Sequence, residues 1–166
     1  MSAVARVLLV GCGCRGLELA ARLVAEGHAV RASTRDPGRL EEIEATGAEA
    51  VLADPDRLST LIGQIDGVSV LCWLMAGVVG EPEVIAGLHG PRLESLVETL
   101  VDTHVRGVVY EAAGRVQPAR LAKGAATVRR LGQTYRMPVE ILEADPAEPA
   151  AWVTAAAGAV DRILAA

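Results

Sequence analysis

Three glycines, Gly11, Gly13 and Gly16, follow the apolar run Val7-Leu8-Leu9-Val10 with the spacing G-x-G-x-x-G. That spacing suits the binding of a pyrophosphate. Gly11 allows a tight strand-to-helix turn, Gly13 lets the backbone approach the phosphates, and Gly16 lets the helix pack closely on the strand. The helix that follows turns its unpaired N–H groups and positive dipole end toward the anion. Cys12, Cys14 and Arg15 complete the loop and belong to the same expected site.

The dinucleotide's identity is read from the tip of the second strand, Ser33-Thr34-Arg35. NAD sites place an acidic residue there for the ribose 2′-hydroxyl. Here a guanidinium and two hydroxyls stand in its place, a set that would neutralise and hydrogen-bond a 2′-phosphate. Arg15 could close on the same phosphate from the other side, so NADP is favoured over NAD. Asp54, after the third strand, is a candidate acceptor for the adenine amino group, or a helix cap before Pro55.

Further chemistry is sparse. Tyr110 and Glu111 end the fifth strand with side chains on opposite faces, and one of them could face the nicotinamide. His89, read as lying in the loop after the fourth strand, could reach a substrate, whereas His28 at the amino edge of the sheet reads as structural. A helix N-terminus lowers thiol pKa, which makes a redox-responsive Cys12, Cys14 or Cys72 conceivable; Cys is also simply a small residue that fits a tight loop. The C-x-C pair lacks thioredoxin-like spacing, and no further Cys/His cluster suggests a metal.

These residues need an edge on which to meet. Strand-like runs recur at Arg6–Val10, Ala29–Ser33, Glu49–Leu52, Val68–Leu74, Gly107–Glu111 and Val139–Glu143, separated by segments of helical period. The alternation predicts an α/β fold, a Rossmann-like doubly wound sheet of six parallel strands in the order 3-2-1-4-5-6. Asp36-Pro37, Asp54-Pro55 and Asp145-Pro146 each follow a strand, pair an N-cap residue with a first-turn proline, and mark the carboxyl edge where ligands bind. A final helix is expected over roughly Pro149–Ala165. The whole chain, 1–166, reads as one such domain, and substrate contacts are expected from the loop Ala76–Gly90, the turn Ala113–Gln117 or a partner subunit.

Composition narrows the partners. Hydrophobic residues make up 51% of the chain with aromatics at 2% and no Phe, so the core must be aliphatic. A net charge of −5 without a Lys/Arg cluster argues against a nucleic-acid surface. No apolar run is long enough for a membrane span, and no leader pattern precedes the first strand. Three cysteines cannot all pair, which suits a reducing cytoplasm.

The segments VLLVGCGCRGLELAARLVAEGHAVRASTRDP, GAEAVLADPDRLSTLIGQIDGVSVL and VRGVVYEAAG together resemble the atypical and extended short-chain dehydrogenase/reductase superfamily, particularly its small epimerase-like members. The resemblance covers the first five strands. It implies an NAD(P)-binding Rossmann fold with adenosine near Arg35 and Asp54 and the nicotinamide arm near Trp73, Leu74 and Met75. Catalytic members carry a Tyr-x-x-x-Lys pair and a Ser after the fifth strand. Here Gly114 and Val139 stand four residues after the two tyrosines, Lys123 is the only lysine, and Glu111-Ala112-Ala113 replaces the Ser. Two readings follow: an NADP(H)-dependent oxidoreductase acting on a small planar acceptor without a Tyr-Lys pair, or a non-catalytic NADP-sensing module.

Overall fold

The computed structural model describes residues 4–166; Met1, where the sequence predicts a leaderless start, lies outside them. Strands β1 (Arg6–Val10), β2 (Ala29–Thr34), β3 (Glu49–Leu52), β4 (Val70–Trp73), β5 (Gly107–Glu111) and β6 (Val139–Leu142) form an all-parallel sheet in the order β3-β2-β1-β4-β5-β6. This is the order expected from the sequence. β4 is shorter than its apolar run, although Leu74 still donates to the Val10 carbonyl one step beyond the ladder.

Each strand feeds its two faces alternately, because successive side chains point opposite ways. Val7, Leu9, Ala32, Cys72 and Val109 meet helices α1 (Cys14–Ala25), α2 (Leu40–Glu44) and α7 (Pro149–Ala165). Leu8, Val10, Leu71, Trp73, Val108 and Tyr110 face α3 (Leu58–Ile62), α4 (Pro82–Leu88), α5 (Pro91–Leu100) and α6 (Pro118–Tyr135). Both cores are mainly aliphatic, as the composition requires.

The segment expected as the loop Ala76–Gly90 contains α4. Pro82 is preorganised for a first helical turn, and Val84, Ile85 and Leu88 give the segment an apolar face, with Leu88 buried. The three Asp-Pro pairs form side-chain-to-backbone turns at the carboxyl edge. Asp36 accepts from Gly38 N and caps a 3-10 turn over Pro37–Arg39. Asp54 and Asp145 accept from Asp56 N and Ala147 N, each ahead of a helix that starts a few residues later. Among the described residues no helix is long and apolar enough to cross a membrane.

Candidate functional site

A cleft of about 730 Å³ runs along the carboxyl edge of the sheet, with the glycine loop at its middle. Gly11 has φ +90°, and a Cβ there would stand 2.4 Å from the Leu74 carbonyl oxygen, so only glycine permits this turn against the exit of β4. Gly13 faces open space instead: a Cβ would meet no atom within 4 Å. As N-cap of α1 it brings no side chain to the first-turn amides of Cys14, Arg15 and Gly16, which stay available to an anion. At Gly16 a Cβ would crowd the Cys12 sulfur at 3.2 Å. That glycine serves the compactness of the loop as much as packing on the strand.

One end of the cleft is cationic. Ser33, Thr34, Arg35, Asp36 and Arg39 line it at the tip of β2 and the turn beyond. Arg35 is exposed with its guanidinium uncommitted among the described residues, while the Asp36 carboxylate is occupied by its cap. Arg39, which the sequence reading passed over, bonds the Cys12 carbonyl and Glu42 and so ties this end to the glycine loop. Its signal was available: it lies three residues into the turn that Asp36-Pro37 starts. Asp54 lines a second cavity of about 220 Å³, which shares Arg35, Pro55, Met75 and Val78 with the main cleft and whose wall includes the acidic Asp56 and Glu81 as well as Val84, Ile85 and Leu88.

Leu74, Gly77, Glu111, Gly114, Arg115, Pro146 and Trp152 line the opposite end, with Met75 and Val78 between it and the Arg35 end. Glu111 closes it. Its carboxylate is 1% exposed, accepts a 3.0 Å hydrogen bond from Ala76 N, and lies 3.5 Å from the Arg15 guanidinium. Burial pushes its pKa up, against the Ala76 hydrogen bond and the nearby Arg15 charge, which pull it down. The Trp152 indole N–H also favours the charged form, yet makes no hydrogen bond of ordinary geometry.

Several expectations are corrected here. Arg15 does not close on the β2 end of the cleft; its guanidinium turns toward β5, pairs with Glu111 and stacks 5.4 Å over the Trp152 ring. The buried carboxylate, two strands over from β1 on the side away from β2, draws it there. Trp73 is 0% exposed and donates to the Leu88 carbonyl in the α4–α6 layer, so it does not line the cleft. The alternation of β4 turns it away, and the indole that lines the Glu111 end of the cleft belongs to Trp152, in the first turn of the helix after β6. Leu74 and Met75 do line the cleft.

Tyr110 and His89 are also withdrawn from the candidate chemistry. Tyr110 faces the layer opposite Glu111, and its hydroxyl lies 2.7 Å from His89 Nδ1, while His89 Nε2 lies 3.0 Å from the Met75 carbonyl. The carbonyl can only accept, so Nε2 carries the proton and Nδ1 accepts from the tyrosine. His89 caps the end of α4, fully enclosed, and burial lowers its pKa. The pair braces the β4 exit from behind.

At the amino edge, ligand atoms of Glu26, His28 and Asp161 lie within 4.8 Å of one another. His28 Nδ1 accepts from Ala5 N, which leaves Nε2 as the N–H nitrogen of the neutral ring, buried without a hydrogen-bond partner. Of the cysteines, Cys12 and Cys72 are buried and pushed up to about 11 and about 12, by burial in both cases; Cys14 is exposed. The two buried thiols are therefore protonated and poorly reactive.

No family model and no curated protein matches the sequence. Solved structures match the fold. A short-chain dehydrogenase/reductase superfamily protein from Agrobacterium tumefaciens with bound NAD aligns with a TM-score of 0.67 at 20% identity, over 83% of this chain and 48% of the other. BdcA (YjgI) from E. coli aligns at 0.75 and 14% identity, over 98% and 93% of the two chains. UDP-N-acetylglucosamine 4-epimerase from Bacillus cereus aligns at 0.64 and 14% identity, over 84% and 59%. The first of these carries the name of the superfamily that the residues resemble, and what the three share with this chain is a Rossmann-type fold. The chain spans about half the length of the Agrobacterium protein.

Proposed function

We propose that the chain is an NADP(H)-binding Rossmann domain and an oxidoreductase acting on a small planar acceptor. One observation carries the binding: a single cleft joins a cationic end at Arg35 and Arg39, an open uncapped helix start at Gly13, and an apolar-walled end closed by a buried carboxyl. That sequence of chemistries matches phosphate-bearing adenosine, pyrophosphate and nicotinamide. Ser33, Thr34 and Arg35 would hold the 2′-phosphate, the loop from Gly11 through Gly16 the pyrophosphate, and Asp54 the adenine edge. Leu74, Met75 and Glu111 would line the ring.

A nicotinamide dinucleotide bound there supplies a carbon that gives or accepts a hydride. The protein supplies the rest. Tyr110 is buried on the far layer and Lys123 is exposed on α6, so neither can form a proton-transfer pair in the cleft. Glu111 is the buried carboxyl at the end of the cleft where the ring would lie, its pKa raised by burial against the pull of Ala76 N and Arg15, and it is the group we assign to proton transfer there.

Fluorescence titration with NADPH and NADH tests the reading. Trp152 should respond, and Arg35→Ala should weaken NADPH by about tenfold or more while barely changing NADH. Failure of both nucleotides to bind at millimolar concentration rejects the binding reading. Binding without NADPH oxidation by any flavin or quinone acceptor rejects the enzymatic part alone.

A further inference from the structure

We propose that Arg115 selects the acceptor, and that the acceptor carries an anionic group, a phosphate or a carboxylate, on the rim of its planar ring. The inference rests on the reading of the cleft as a dinucleotide site and names the class of molecule that shares the cleft with the dinucleotide.

Arg115 lines the Glu111 end of the cleft, away from Arg35. It is exposed, and among the described residues no carboxylate pairs with it. The turn that carries it is fixed from both sides. Gly114 packs so closely on the Ala76 carbonyl that a Cβ would stand 2.4 Å from the oxygen, and Val116 N donates to that same oxygen at 2.9 Å. Val116 is itself buried in a small cluster with Ala76 and Leu121. Pinned at the residue before and the residue after, the backbone presents the one exposed side chain between them to the cleft.

Charge at this end does not balance. Glu111 is enclosed and matched by Arg15 at 3.5 Å, so Arg115 is a second cation without a counter-charge. No Asp or Glu stands between Glu111 and Glu140 in the chain. Helix α6 starts three residues after Arg115, and its first turn has neither an acidic residue nor a side-chain cap to offset the positive helix end. From the turn between β6 and α7 only Pro146 lines the cleft, and its carboxylates, Glu143, Asp145 and Glu148, do not.

The dinucleotide has no use for this charge. Its 2′-phosphate would lie at Arg35 and its pyrophosphate at the glycine loop, and the nicotinamide half brings no further anion. A guanidinium is a planar fork of donors that matches the oxygens of a phosphate or a carboxylate. A neutral acceptor would leave that fork in water, whereas an anionic one would engage it with its ring against Leu74 and Met75.

Calorimetry on the NADP-saturated protein with two matched pairs tests this: flavin mononucleotide against riboflavin, which share a ring and differ in a phosphate, and a naphthoquinone with and without a carboxylate substituent. The wild-type protein should bind the anionic member of at least one pair about tenfold more tightly than the neutral member, and the pair that shows the preference identifies the anion. Arg115→Gln should erase the preference while the neutral members and NADP keep their wild-type affinity. Arg115→Lys, which keeps the charge without the fork, should restore part of it. Equal wild-type affinity within both pairs, a preference that survives Arg115→Gln, or no binding of either pair overturns the inference, and normal NADP binding then leaves the dinucleotide reading standing. Loss of NADP affinity in Arg115→Gln gives the residue to the dinucleotide and also overturns the inference. Failure of the wild-type protein to bind NADP overturns both.

Discussion

The Arg15 guanidinium, at the start of α1, stands 3.5 Å from the Glu111 carboxylate at the end of β5, and so joins the glycine loop to the far end of the cleft. Glu111 is enclosed, whereas the Arg15 side chain remains 31% exposed. The pair is therefore unequal. Removing Arg15 would strand a buried carboxyl, while removing Glu111 would leave a cation that water can reach.

Stability should record this. The Glu111 pKa lies above its unfolded value, so between the unfolded value near 4.5 and the higher folded value the native state holds a proton that the unfolded chain has released. Native stability contributed by this group is full below that window and falls as pH rises through it. Glu111→Gln, which cannot titrate, should therefore gain on the wild type as pH is raised from 4 to 8 in urea unfolding. Arg15→Ala should be destabilised by about 1–3 kcal/mol at neutral pH, less than for a fully buried pair because Arg15 is partly solvated.

The glycines of the loop should separate fold from binding. Gly11→Ala forces a Cβ into the Leu74 carbonyl at positive φ and should cost about 2 kcal/mol or more, read as a lowered urea midpoint. Gly13→Ala meets open space at φ −79° and should change stability by no more than about 0.5 kcal/mol. Its methyl would occupy the phosphate approach, so NADPH affinity should fall while the fold persists.

Tyr110→Phe should behave as a core lesion. It removes the donor to His89 Nδ1 and should cost about 1–2 kcal/mol with unchanged nucleotide affinity. Burial lowers the His89 pKa, so the unfolded chain takes up a proton near 6.5 before the native state does. This contribution is present above that value and is lost as pH falls through the lower folded pKa. A urea-midpoint series from pH 7 to 5 on the wild type and a His89→Gln variant would show it.

Thiol chemistry should be confined to one position. Cys14 is exposed at the cleft, whereas Cys12 and Cys72 are buried and protonated. Iodoacetamide followed by peptide mass spectrometry should label Cys14 alone in the native protein, and NADPH should slow the labelling.

The sequence by itself determined the sheet and its order, because apolar strands alternating with helical segments and a strand-ending glycine loop admit few right-handed parallel arrangements. It also located the cationic end, since Ser33, Thr34 and Arg35 are contiguous and any strand ending there presents them at the edge. Only the tertiary structure decided the other end. Which way Trp73, Tyr110 and Glu111 point is a one-residue matter of strand phase, and a parallel strand buried on both faces shows no polarity pattern to reveal it. Trp152 lies about 40 residues beyond Glu111 in the chain and reaches it only because α7 packs beside α1. Arg15 looked like a phosphate ligand from its place in the loop, and a buried carboxylate on another strand claims it instead.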